Sequence, residues 1–217
     1  MALVDPNDVS IVVRSKAYCQ YPVRGPVYLD SDYDRGSWRR RRALKSGATQ
    51  VSPISTTFVP ALLAVNKQIN AETINYLYGH EFSFENGHAL TEFMAVIGLR
   101  NQRRLRVVRI TSWLTRSAAQ KASNRNGLTM LAGATKLDAL VFDCAISGRG
   151  PGHVAKKIYQ DGQHFIVAYG AANGSKDAVV DIIELDDANF PVYNGNPTLE
   201  EQKIVFEKKL RAFAKTL

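Results

Sequence analysis

Apolar residues recur along this chain with two different periods. Leu62, Leu63, Val65, Ile69, Ile74, Leu77 and Tyr78 fall at near-helical spacing, and Gly79 stops that helix in the manner of a C-terminal glycine. Phe82 and Phe84 then alternate with polar neighbours, as in a half-buried strand. Asn86 is placed to cap a second helix, whose inner face is Leu90, Phe93, Met94 and Ile97. In the strand LRVVRI the apolar positions are Leu105, Val108 and Ile110, spaced L-x-x-L-x-L. That spacing returns at Leu137, Leu140 and Phe142, and again at Val180, Ile183 and Leu185. Helical stretches are predicted between these strands, over about 117–132 and 153–170. Thr198 with Glu201 forms a capping box that opens a last helix, which carries Leu199, Ile204, Phe206, Leu210 and Phe213.

From Phe82 onward the chain therefore reads strand then helix, four times over. Strands that alternate with helices imply parallel pairing through right-handed crossovers. The L-x-x-L-x-L spacing resembles the strand of a leucine-rich repeat. The repeats are irregular, 32 and then 43 residues apart from Val108 to Leu140 to Ile183, and no asparagine ladder follows them. The fold class expected is α/β: alternating strand–helix units with a mainly parallel, leucine-rich-repeat-like small sheet. A compact open α/β sheet is the alternative. Upstream, residues 9–16 and 25–31 read as short strands with YPVRGP as the turn between them. Residues 30–55 are polar and basic and read as a long exposed loop. The organisation is thus an irregular N-terminal segment with a basic loop, 1–54, and a single α/β domain, 55–217.

The stretch LLAVNKQINAETINYLYGHEFSFENGHALTEFMAVIG with the following LRVVRI resembles a family pattern, L-L-x-x-C-R-Q-I-x-x-E-A-x-x-x-L-Y-x-x-N-x-F-x-F followed by a helix and an I-R-x-L-x-L strand. The pattern is that of the F-box-like DUF7730 domain group of fungal proteins. Asn66, Lys67, Gln68 and Ile69 stand where that family has Cys-Arg-Gln-Ile, while Glu72, Leu77, Tyr78, Phe82 and Phe84 match. The resemblance covers roughly 54–190 and implies a fungal, adaptor-like interaction domain with no catalytic residue to carry over. In packing terms, Leu63, Ile69 and Leu77 are expected to face the sheet. Glu72 is expected to serve as a capping residue or as a salt-bridge partner for an arginine of the next strand, and Tyr78 to bury its ring.

Composition narrows the classes. The 217 residues are 45% apolar, enough for a sizeable core, with no run of about 18 apolar residues for a membrane span. The first residues lack the pattern of a signal peptide. Cys19 and Cys144 are too few for a disulfide framework and are expected as free thiols, which fits an intracellular protein, cytoplasmic or nuclear. The net charge of +8 is uneven: from Phe93 to Leu137 there are nine Lys/Arg and no acid, and Asp177 to Asp187 has five acids and no base. Such asymmetry suits an anionic partner.

The candidate partner-binding or nucleic-acid-binding residues follow from the two basic regions. Trp38, Arg39, Arg40, Arg41, Arg42 and Lys45 lie in an acid-free stretch where guanidiniums can neutralise phosphates and the indole can stack; the same run reads as a nuclear import signal. Arg103, Arg104 and Arg106, with Arg100 and Arg109, are expected to line an exposed sheet surface suited to protein docking. A weaker candidate is the loop Gly148, Arg149, Gly150, Gly152 and His153, in strand–loop–helix context, although Pro151 removes one amide donor and also fits a first helical turn. GAANGSKD lacks the second glycine and the Ser/Thr of a Walker motif and reads as a helix end. His80, His88, His153 and His164 lack metal-ligand spacing, and neither cysteine has a basic neighbour to activate it. No metal, cofactor or catalytic residue is expected. The reading is a non-enzymatic protein-interaction module; the alternative is nucleic-acid association through residues 35–47 and 100–125.

Overall fold

Five short strands form one sheet whose spatial order is their order in the chain, and every neighbouring pair is parallel. The computed structural model describes residues 10–13, 74–113, 115, 117–146, 150–190 and 197–217. The strands are β1 (Ser10–Val13), β2 (Glu81–Phe84), β3 (Val107–Ile110), β4 (Ala139–Phe142) and β5 (Ile183–Leu185). Four helices alternate with them: α1 (Gly87–Gln102), α2 (Ala118–Met130), α3 (Pro151–Asn173) and α4 (Leu199–Lys215). The alternation read from the sequence is the alternation observed.

The L-x-x-L-x-L spacing becomes pairing register. Phe82, Val108, Leu140 and Ile183 lie side by side across β2 to β5, and Phe84, Ile110, Phe142 and Leu185 form the next row. Leu105 and Leu137, the first residues of two of the triplets, are also fully buried. The helices cover this face in a single row, α1 on α2, α2 on α3 and α3 on α4. Right-handed crossovers between adjacent parallel strands carry α1, α2 and α3 to one side, and α4 joins their row by packing on α3, so no described helix stands over the other face.

Local signals set most helix ends. Asn86 accepts from the amides of His88 and Ala89 at the start of α1. Capping boxes open α2, from Ser117 and Gln120, and α4, from Thr198 and Glu201. Pro151 occupies the first turn of α3, and Gly174 ends that helix in the left-handed conformation at φ 76°. Residues 74–79 are helical, but Gly79 does not adopt positive φ, so it is not the left-handed stop expected there. Leu77 and Tyr78 are buried as anticipated, and Tyr78 stacks on Phe82. Leu63, Ile69 and Glu72 lie outside the described residues.

Two features were not read from the sequence. Ser10–Val13 is the parallel edge strand beside β2, so the sheet draws one strand from the N-terminal segment. Its supposed hairpin partner, 25–31, lies outside the described residues. The second is a break inside α1, where Gly98 has φ 69° and ψ 163°.

Helix contact between α1 and α2 is backbone to backbone. A Cβ on Gly127 would sit 2.8 Å from the Gly87 carbonyl oxygen, and one on Gly87 would sit 2.8 Å from the Asn124 Cα. Gly127→Ala is therefore expected to destabilise despite alanine's higher helix propensity, because backbone must move. Leu140→Ala, at 1% exposure in the middle of the sheet, is expected to lower unfolding free energy by about 2–5 kcal/mol. Urea titration checks both, and a Gly127→Ala chain more stable than the parent would contradict the close crossing.

Candidate functional site

Alternation gives the sheet a second face with different chemistry. Its central rows run Glu81, Val107, Ala139 and then Ser83, Arg109, Val141, Glu184. Ser83 is buried, but Val107, Ala139, Val141 and Arg109 are part-exposed and Glu184 is exposed. Small and aliphatic side chains here sit among charges and keep partial solvent contact, unlike those of the core.

Arg109 holds this face together electrostatically. Its Nε and Nη2 donate to Glu81 Oε1 and Oε2 at 2.7 and 2.8 Å, and its Nη1 donates to Asp143 Oδ2 at 3.3 Å. The fork spans three strands diagonally, a geometry open to arginine and closed to lysine. The Glu81 carboxylate raises the Arg109 guanidinium above its ordinary value, so the charge is permanent. Arg109 is spent within the molecule. Among the described residues the face carries Glu81, Asp143 and Glu184 against one guanidinium. Of the arginines expected to line the sheet surface, Arg109 stands on it and is paired there.

The remaining arginines of that zone lie at the end where the strands begin. Arg106 precedes β3, and its Nη1 reaches the Lys136 carbonyl at 3.3 Å and Asp138 Oδ1 at 3.4 Å. Arg104 donates to Asn101 Oδ1 at 3.0 Å. Arg103, like Arg100, is exposed at the end of α1. The zone is thus a margin next to the sheet and not its face. Trp38, Arg39, Arg40, Arg41, Arg42 and Lys45 lie outside the described residues.

The acidic run at 177–187 is largely matched from inside. Arg211 of α4 pairs with Asp177 and Asp181, Lys215 pairs with Asp177, and Lys203 pairs with Asp187. These contacts fasten the last helix to the chain around β5. One polar pair is more deeply placed: Lys157 Nζ lies 2.9 Å from Asp161, whose side chain is 1% exposed on α3.

At the opposite end, where the strands finish, loops are stitched together. Asn189 Oδ1 accepts from the Ile146 amide at 2.6 Å, and its Nδ2 donates to the carbonyls of Cys144 and Asp186, both at 2.9 Å. This single buried amide ties the turn after β4 to the turn after β5. It does the work of one rung of the asparagine ladder that the spacing failed to show, displaced by one residue. Trp113 is buried edge-on to Phe142, and its Nε1 has no hydrogen-bond partner among the described residues.

The glycine loop has packing explanations where it is described. Gly150 precedes α3 at φ 89°, and a Cβ on Gly152 would sit 3.2 Å from the Lys209 side chain. His153 is exposed, while Gly148 and Arg149 lie outside the described residues. Among the described residues no group of three or more His, Cys, Asp or Glu converges as a metal site would require, and no helix is long and apolar enough to cross a membrane.

No family model matches the chain, and neither the curated proteins nor the solved structures supply a match to it.

Cys144 is a free thiol. Burial first, then the neighbouring Asp143 and Asp186 carboxylates, push its pKa from an ordinary 9.0 up to about 12. The neutral thiol is favoured in the folded state, so this stabilisation is present below about pH 9 and is lost as pH rises towards about 12. Alkylation of native Cys144, followed by peptide mass spectrometry, is expected to be far slower at pH 8 than in the unfolded chain. Equal rates would show that the thiol is not shielded.

Proposed function

We propose that this chain is a non-enzymatic protein-interaction module, adaptor-like, that binds a partner on the sheet face over which no described helix stands. The observation that carries this reading is the one-sided arrangement of helices. All four stand over the Val108, Leu140 and Phe142 side, which leaves Val107, Ala139, Val141 and Glu184 with solvent contact on the other. Repeat-like folds use such extended faces for binding. The Arg109 clamp suits the role, because it fixes charges on rigid strands before any partner arrives, which lowers the ordering cost of association. The resemblance to fungal F-box-like domains points in the same direction. Cys144, the thiol beside this face, is half-buried with a raised pKa and is a poor nucleophile, which supports a binding role over thiol chemistry there.

The test compares the parent with a Val141→Arg/Glu184→Arg variant as bait in nuclease-treated lysate. Both side chains point away from the core, so melting temperature is expected to change little. A partner of this face should be captured by the parent and lost from the variant. Capture that survives the substitutions, or that disappears on nuclease treatment of the parent, would sink the reading.

A further inference from the structure

We propose that the broken end of α1 is a second docking surface, and that its occupant is a protein segment carrying both acidic and aliphatic side chains. This goes beyond the reading above and concerns a different part of the molecule.

The break is built rather than frayed. Gly98 holds φ 69° and ψ 163°, a conformation essentially confined to glycine. In an unbroken helix the Met94 carbonyl would accept from residue 98 and the Ile97 carbonyl from residue 101. Here the buried Gln102 side chain donates to the Met94 carbonyl at 2.8 Å, and the Asn101 side chain donates to the Ile97 carbonyl at 3.1 Å. Two side-chain amides thus complete the backbone around the break and fix its shape.

What the break presents is apolar. Val96, two residues before Gly98, is 81% exposed, and Leu99, directly after it, is 67% exposed. They are the two most exposed large hydrophobic side chains among the described residues. Isolated exposed aliphatics are ordinary. A pair flanking a glycine, held by dedicated hydrogen bonds, is a presented edge.

The surroundings carry unmatched positive charge. Arg100 and Arg103 are exposed next to Leu99, and among the described residues neither forms an ion pair. Other arginines of the chain are engaged by acids: Arg106 by Asp138, Arg109 by Glu81 and Asp143, Arg211 by Asp177 and Asp181. No acid occurs between Phe93 and Leu137 to engage Arg100 and Arg103 locally. Charge complementarity therefore calls for carboxylates on the partner, and Val96 and Leu99 call for aliphatic side chains between them. A nucleic acid would leave both aliphatics unused and would find no described aromatic side chain at the break for stacking. A bilayer surface would find only two aliphatics and no interfacial Trp or Tyr at the break.

The experiment uses the full chain. Displayed random dodecapeptides are selected on the parent and counter-selected on a Val96→Ser/Leu99→Ser variant. All four target side chains are exposed, so melting curves of this variant and of Arg100→Glu/Arg103→Glu should overlay the parent. The expected result is enrichment of peptides rich in Asp or Glu together with Leu, Ile or Val, whose affinity falls about tenfold or more in either variant. Enrichment of neutral or basic peptides, or no enrichment over the variant, overturns the proposal. So does retention by anionic phosphatidylserine vesicles or a DNA duplex that depends on Arg100 and Arg103 while no acidic peptide is selected. Val141→Arg/Glu184→Arg should leave peptide binding unchanged, so failure here and failure of the sheet-face reading are told apart.

Discussion

Parallel strands laid down in chain order require one crossover per strand, and each crossover has the same hand. That constraint governs the rest of this structure. It sends α1, α2 and α3 to one side, where α4 packs on α3, and it makes that sheet face dry while the other keeps water contact among the described residues. It explains why the same apolar spacing recurs: each strand meets the helix layer in the same way, so Val108, Leu140 and Ile183 solve one packing problem three times. A doubly wound sheet, whose order reverses midway, would have had helices on both faces and no comparable surface.

Much of this was readable from the order of residues, because burial imposes periodicity. The L-x-x-L-x-L triplets predicted both the strands and their register, since Leu105, Val108 and Ile110 can all be buried only with a common face inward. Caps were readable for the same reason: Asn86 and Thr198 act on amides within a few residues, so their chemistry is local. What could not be read was non-local or depended on a single residue. The strand at Ser10–Val13 was legible within 9–16, but its pairing with the distant β2, Ser10 beside Glu81, was not. Asn189 acts across 43 residues on the Ile146 amide and stands one position beyond where a repeat would place it. Gly98 drew no reading from the helical spacing around it; the signal was the amide pair Asn101 and Gln102 soon after it.

The basic zone was visible as composition, but composition does not say which charges are already in use. Arg106 and Arg109 differ from Arg100 and Arg103 only in what the fold brings near them. The acidic run at 177–187 was likewise visible as composition, and Arg211, Lys215 and Lys203 of the last helix reach much of it. Helix α4 is long and strongly amphipathic, and these ion pairs orient it as Phe206 and Leu210 bury. Each exposed pair contributes little alone, so apolar burial holds the helix and the charges choose its angle.

Because each helix packs on the next in sequence, the molecule is close to one-dimensional. In such an array, stability approximates a chain of nearest-neighbour couplings, and a disturbance in one unit weakens with each interface it must cross. The Gly87–Gly127 crossing is the stiffest of these couplings, since two backbones touch there without side chains to adjust. It joins the unit that bears the broken helix to the rest. The array therefore has one joint that side-chain repacking cannot loosen, between α1 and α2, and an apolar joint trimmed by ion pairs at its last helix.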